Sequence, residues 1–171
     1  MSSVETVSAT QGSPFWKFSL GYYRGAGVSE ACLELQDRCG VDVNVVLFLL
    51  WMASQKRVVP PDQVKRLADK VRPWQTDVIS PIRALRRMLK SDAPLLDKGS
   101  AELFRTKIKA IELESERLQQ EAMYALAEGL KAEPATSAEA AARANVAAYE
   151  RALGRPFTKP AVDTMIAALT A

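Results

Sequence analysis

Between residues 43 and 53 the chain reads Val-Asn-Val-Val-Leu-Phe-Leu-Leu-Trp-Met-Ala, and Asn44 is its only strongly polar side chain. A helix that is apolar on every side must be buried on every side. The run is far shorter than the roughly 20 apolar residues needed to cross a bilayer. It therefore predicts the central helix, at about 42–56, of a water-soluble helical bundle, with Asp42 as its N-cap.

The flanking sequence predicts an all-α fold of about six to eight helices in one irregular bundle. Ser13-Pro14 starts a first helix, with Ser as N-cap and Pro at the first helical position. A second helix spans about 28–39 and stops at Gly40. Pro60-Pro61-Asp62 opens the next, expected to run through Lys70. Pro73 and Pro81 predict that the stretch up to Lys90 is broken into two or three short or kinked helices. Ser100 is the expected cap of the longest helix, at about 100–131. Along it Phe104, Ile108, Ile111, Ser115, Leu118, Ala122, Ala125 and Gly129 alternate in steps of four and three, a heptad-like seam expected to pack within the bundle. Ser137 caps an Ala-rich helix that ends near Gly154, and a short helix follows from about Pro160 to Leu169. No strand pattern is evident. The expected organisation is a disordered lead-in at 1–12, a bundle at 13–132, and a helical appendage at 133–171 packed on the bundle. The lead-in is Ser/Thr-rich, lacks Lys and Arg, and has no apolar core of the kind a signal peptide needs. A cytoplasmic location is expected.

The chain contains no histidine. That removes the usual general base near neutral pH and the commonest metal ligand. Ser-His-Asp and Cys-His catalysis, and histidine-ligated zinc or iron, lapse with it. Carboxylate-held magnesium or calcium, and Lys, Glu or Asp chemistry, remain open. Cys32 and Cys39 lie seven residues apart. On one helix that is about 10 Å along the axis, beyond disulfide reach. Sharing a face with Val28, Ala31 and Leu35, they read as buried free thiols. No catalytic residue, cofactor or metal ligand is assigned.

The net charge of +3 conceals an uneven distribution. From 56 to 90 there are ten Lys/Arg against three Asp/Glu, or +7; the rest holds 13 against 17, or −4. Arg83, Arg86, Arg87 and Lys90 fall at i, i+3, i+4 and i+7, one face of a helix. Four cations in a stripe repel one another, so the arrangement gains from an anionic partner. The nearest candidates are Glu112 and Glu116 on the long helix. Further along it, Lys109–Glu112 and Arg117–Glu121 are expected intrahelical pairs. Trp51 and Trp74, with Asn44, are candidate lining for an apolar pocket beside the stripe.

Several of these residues carry a resemblance. Phe15-Trp16-x-Phe18, Cys32-Leu33-x-Leu35-Gln36-Asp37, and Gly40-x-Asp42-Val43-Asn44 with Leu47 and Trp51 form one part of it. Trp74 with Val78, Pro81-x-Arg83 with Arg86-Arg87 and Lys90, and Lys109-x-x-Glu112-Leu113 with Glu116 form the other. Together they resemble a family of short proteobacterial proteins catalogued only as a domain of unknown function. The resemblance implies a small cytoplasmic all-helical protein and brings no established activity. Three functions compete. The first is a non-enzymatic interaction module whose partner is an acidic protein surface or another copy of itself. The second is a binder of, or enzyme acting on, an anionic, partly apolar small molecule such as an acyl or isoprenoid phosphate. The third is nonspecific nucleic-acid binding. No helix-turn-helix or RNA-recognition motif accompanies the charge, which argues against the last.

Overall fold

A computed structural model describes residues 12–91 and 95–170. The apolar run becomes α3 (Val43–Ser54), in which every side chain from Asn44 to Leu50, together with Met52 and Ala53, is buried. Asp42 caps it, its carboxylate accepting the Asn44 backbone N–H at 2.9 Å. Around α3 lie α1 (Pro14–Tyr22), α2 (Val28–Cys39) and the later helices. Ser13 caps α1 by accepting from the Trp16 N–H, and Pro14 takes the first helical position. Gly40 ends α2 in the left-handed region at φ +66°, where a Cβ would also come within 3.0 Å of the Arg155 guanidinium. This turn is what brings Asp42 back to the mouth of α3.

After α3, Arg57–Val58 (β1) pairs antiparallel with Glu133–Pro134 (β2), a two-residue ladder that the sequence pattern does not signal. The stretch expected to form two or three short or kinked helices forms two, joined by a π-helical turn. α4 (Pro61–Trp74) contains Pro73 and passes through a π-helical turn (Gln75–Ile79) straight into α5 (Ser80–Ser91). A proline ring clashes with the carbonyl four residues earlier in an α-helix. The wider π-turn just before Pro81 relieves that clash by adding a residue to the turn. The long helix α6 (Lys98–Ala127) starts earlier than expected. Asp97, not Ser100, is its N-cap, and the Ser100 N–H donates to the Asp97 carboxylate at 3.0 Å. Among the described residues no helix is long and apolar enough to cross a membrane. The expected lead-in falls almost wholly outside the described residues.

The Ala-rich α7 (Ala138–Leu153) packs closely on α3 and α4, and α8 (Lys159–Thr170) on α2. Both contribute to one continuous core, through Ala141, Ala142, Val146, Tyr149, Met165 and Ile166. Small alanines let α7 approach α3 closely. The junction is fixed by Asn145, which has no exposed surface. Its Oδ1 accepts the Val59 N–H at 2.8 Å, and its Nδ2 donates to the Leu49 and Arg57 carbonyls at 3.0 and 3.1 Å. One side chain thus ties together α3, the segment after it, and α7.

Candidate functional site

The basic stripe lies on α5 and meets the acidic face of α6. Arg83 is the hub. Its Nε donates to Glu112 Oε1 at 2.9 Å, one terminal nitrogen to Glu116 Oε1 at 2.7 Å, and the other to Gln36 Oε1 on α2 at 2.7 Å. Arg86 also donates to Glu112, through Nε to Oε2 and through a terminal nitrogen to Oε1 at 3.3 Å. Arg87 reaches Asp37 of α2 at 3.4 Å, with both side chains largely exposed. Lys90 is exposed and has no ion pair among the described residues. Half of the stripe is therefore neutralised internally by Glu112 and Glu116. The expected pairs Lys109–Glu112 and Arg117–Glu121 do not form. Glu112 is occupied by the two arginines, Arg117 pairs with Glu114 at 2.7 Å, and Glu121 accepts the Ser13 N–H at 2.9 Å.

Burial raises the Glu112 carboxyl, but the hydrogen bonds and charges of Arg86 and Arg83 outweigh it and hold the group below the usual glutamate range. Glu116 goes the other way. Its burial dominates over Arg83, and the Glu112 charge adds to the rise.

A second buried network starts at Asp42. The Gln119 amide donates to the Asp42 carboxylate at 2.6 Å, Asn44 donates to Gln119 Oε1 at 2.9 Å, and Gln120 donates to Asn44 Oδ1 at 2.8 Å. The Asp42 backbone N–H donates to the Tyr149 hydroxyl oxygen at 3.1 Å. Burial raises the Asp42 carboxyl. Asn44, the lone polar residue of the apolar run, is thus satisfied by two glutamines of α6.

These networks floor a cleft of about 400 Å³ between α1, α2, α3, α5 and α6. Asn44, Arg83, Arg86, Arg87, Glu112 and Glu116 all line it. Its apolar wall comes from Trp16, Leu20, Leu33, Leu47 and Leu113. Trp51 and Trp74 are elsewhere. Trp51 packs among Phe15, Phe48 and Tyr124 at ring separations of 5.5–5.7 Å. Trp74 is partly exposed, and its indole N–H donates to the Ser115 carbonyl at 2.9 Å. Cys32 also lines the cleft, but burial pushes its thiol up to about 12, far from the thiolate that a nucleophile requires.

The sequence reading missed Gln36, Gln119 and Gln120. The available signal was the row Glu112, Ser115 and Gln119, polar residues at i, i+3 and i+7. Those positions turn inward on α6, together with Ile108 and Met123. The heptad-like seam is split as a result: Ile108 and Ser115 are buried, whereas Phe104, Ile111 and Leu118 face solvent at 45, 52 and 45% exposure.

The cleft and its charged partition fall within a segment matched by a family model, residues 14–123. The chain belongs to the family described as Protein of unknown function (DUF2390). The match ends inside α6, before α7 and α8, although these two helices close the core around α3. No curated protein and no solved structure matches the chain.

Proposed function

We propose that this family member is a non-enzymatic interaction module that pairs with a second copy of itself through the outward face of α6. The observation that supports this reading is the exposed row Phe104, Ile111 and Leu118, spaced seven residues apart. Large apolar side chains repeated along one exposed stripe mark contact surfaces in soluble proteins. The row is symmetric about Ile111. In a twofold antiparallel pairing of α6 with its copy, Ile111 meets itself and Phe104 meets the second copy's Leu118.

Charge selects that direction. Lys107 lies four residues before Ile111 and Glu114 three residues after it. Antiparallel pairing brings Lys107 of one copy to Glu114 of the other, offset by about one residue's rise of 1.5 Å. Parallel pairing would oppose Lys107 to Lys107 and Glu114 to Glu114. The Arg83–Glu112–Arg86 cluster contributes by fastening α5 to α6, so the outward face is presented on a braced pair of helices.

The basic stripe is a weaker docking point than its sequence suggests, because Arg83 and Arg86 are engaged within the chain. The nucleic-acid reading loses ground for the same reason. Six of the ten cations between 56 and 90 (Lys65, Arg66, Arg72, Arg83, Arg86 and Arg87) already have carboxylate partners.

Sedimentation equilibrium tests the proposal. The wild type is expected to show a concentration-dependent monomer–dimer equilibrium, weakened at least about 30-fold by Ile111→Lys, as for loss of a central interface residue. The variant's helical circular dichroism should be unchanged. A wild type that stays monomeric at every concentration would refute the reading.

A further inference from the structure

The cleft lies on the opposite flank of α6 from the row just described, being lined by Lys109, Leu113, Glu116 and Gln120 rather than Phe104, Ile111 and Leu118. Two of the residues that line it hold buried polar atoms that the fold leaves without partners. Gln120 is 2% exposed and Ser19 3%, both line the cleft, and neither Gln120 Oε1 nor Ser19 Oγ has a hydrogen-bond partner. Buried polar groups are seldom left unsatisfied, and each specific exception calls for a physical cause.

The chemistry required at Gln120 follows from the chain of amides behind it. The Asp42 carboxyl accepts at both oxygens, Oδ1 from the Asn44 backbone N–H and Oδ2 from the Gln119 amide. It takes the Gln119 N–H, so Gln119 must offer its oxygen to Asn44, and Asn44 its oxygen to Gln120. The amide of Gln120 therefore spends a donor on Asn44 and presents its carbonyl oxygen as the open end of the chain. Only a hydrogen-bond donor completes it. Ser19 Oγ can turn to donate or accept, so a hydroxyl or an amino group suits either atom.

Around this point the wall is apolar, through Trp16, Leu20, Leu33, Leu47 and Leu113. The remaining charged lining is unbalanced: Arg24, Arg83, Arg86, Arg87 and Lys109 against Asp42, Glu112 and Glu116. With Arg83 and Arg86 committed to the glutamates, Arg24, Arg87 and Lys109 are the exposed cations at its edge. The volume falls at the small end of the range for ligand pockets, about 300–1,000 Å³.

We propose that the cleft binds a small organic anion with an apolar body and a hydroxyl or amino group, the donor resting on Gln120 Oε1 and Ser19 Oγ and the anion near Lys109, Arg24 and Arg87. Lys109 and Gln120 are eleven residues apart on α6, about 16 Å along its axis, which sets the scale of the molecule once the lysine side chain leans inward.

Isothermal titration calorimetry with two probes tests this: 10-hydroxydecanoate and decanoate, each below its micelle-forming concentration. Wild type should bind the hydroxylated probe roughly tenfold more tightly, the worth of one well-made hydrogen bond. Gln120→Met should bring the two probes to within about twofold of each other. Because that variant also removes the bond to Asn44, Ser19→Ala serves as a second reading. It breaks no bond in the fold, and it should reduce the preference without loss of thermal stability. Lys109→Gln should weaken both probes alike. The proposal is overturned if neither probe binds, if both bind wild type equally, or if the preference survives in Gln120→Met and Ser19→Ala.

Discussion

Glu112 is the residue on which the α5–α6 contact turns. It accepts from two arginines, and its removal leaves Arg86 without a carboxylate and Arg83 with Glu116 alone, in a mostly buried setting. Glu112→Gln is expected to cost about 2–3 kcal/mol, somewhat below the range for a fully buried pair because Arg83 and Arg86 retain some exposure. Arg87→Gln, which disturbs only an exposed contact with Asp37, should cost less than about 0.5 kcal/mol. Urea denaturation of the two variants compares them directly; equal losses would remove Glu112 from its central place. The pH dependence follows from the lowered Glu112 carboxyl. A carboxyl held lower in the fold than in the unfolded chain stabilises above the unfolded value, about 4.3 for glutamate, and loses that contribution as pH falls through the folded value. The gap between wild type and Glu112→Gln should therefore be full at pH 7 and narrow below about pH 4.3. Asp42 and Glu116 are raised by burial and act in the opposite sense: they favour folding when protonated and lose that contribution as pH rises through their folded values. Both remain in the variant, where loss of the Glu112 charge lessens the rise at Glu116 and offsets part of the gap at pH 7.

At the scale of elements, α3 was legible because eleven consecutive residues with one polar exception allow no other placement. Its cap, and those of α1 and α7, were equally plain from Ser and Asp at the helix starts. The long helix was misread for a definite reason. Hydrophobic periodicity assumes that inward positions are apolar, but α6 faces Arg83 on one neighbour and Asn44 on another. Its inward positions are therefore Glu112, Ser115 and Gln119, while the apolar track Phe104, Ile111 and Leu118 points out. Likewise Pro73 and Pro81 signal a segmented stretch but not how its helices join, because a π-turn that accommodates proline leaves no pattern in single-residue preferences. The tryptophan pair failed to meet because Trp51 is held among aromatic rings and Trp74 by a carbonyl of α6. The α3–α7 junction provides the element-scale prediction. Asn145→Ala forfeits three hydrogen bonds and strands the buried Val59 N–H, at an expected cost of about 3 kcal/mol. Hydrogen exchange should show Val59 losing protection first; protection retained there would contradict the role given to Asn145.

For the whole molecule, the two proposed tasks fall on opposite flanks of α6. One flank, with α1, α2, α3 and α5, encloses the cleft and the charge cluster. The other presents an apolar row whose symmetry about Ile111 matches that of a twofold dimer. Cross-linking tests whether copies of the chain meet on this row. A residue on the twofold axis faces its own counterpart, and the native thiols Cys32 and Cys39 are both buried. Under mild oxidation Ile111→Cys should therefore form a disulfide-linked dimer rapidly and in high yield. Leu33→Cys, exposed on α2 away from the row, should stay uncross-linked. Cross-linking that is absent from Ile111→Cys, or no faster than from Leu33→Cys, would contradict the account.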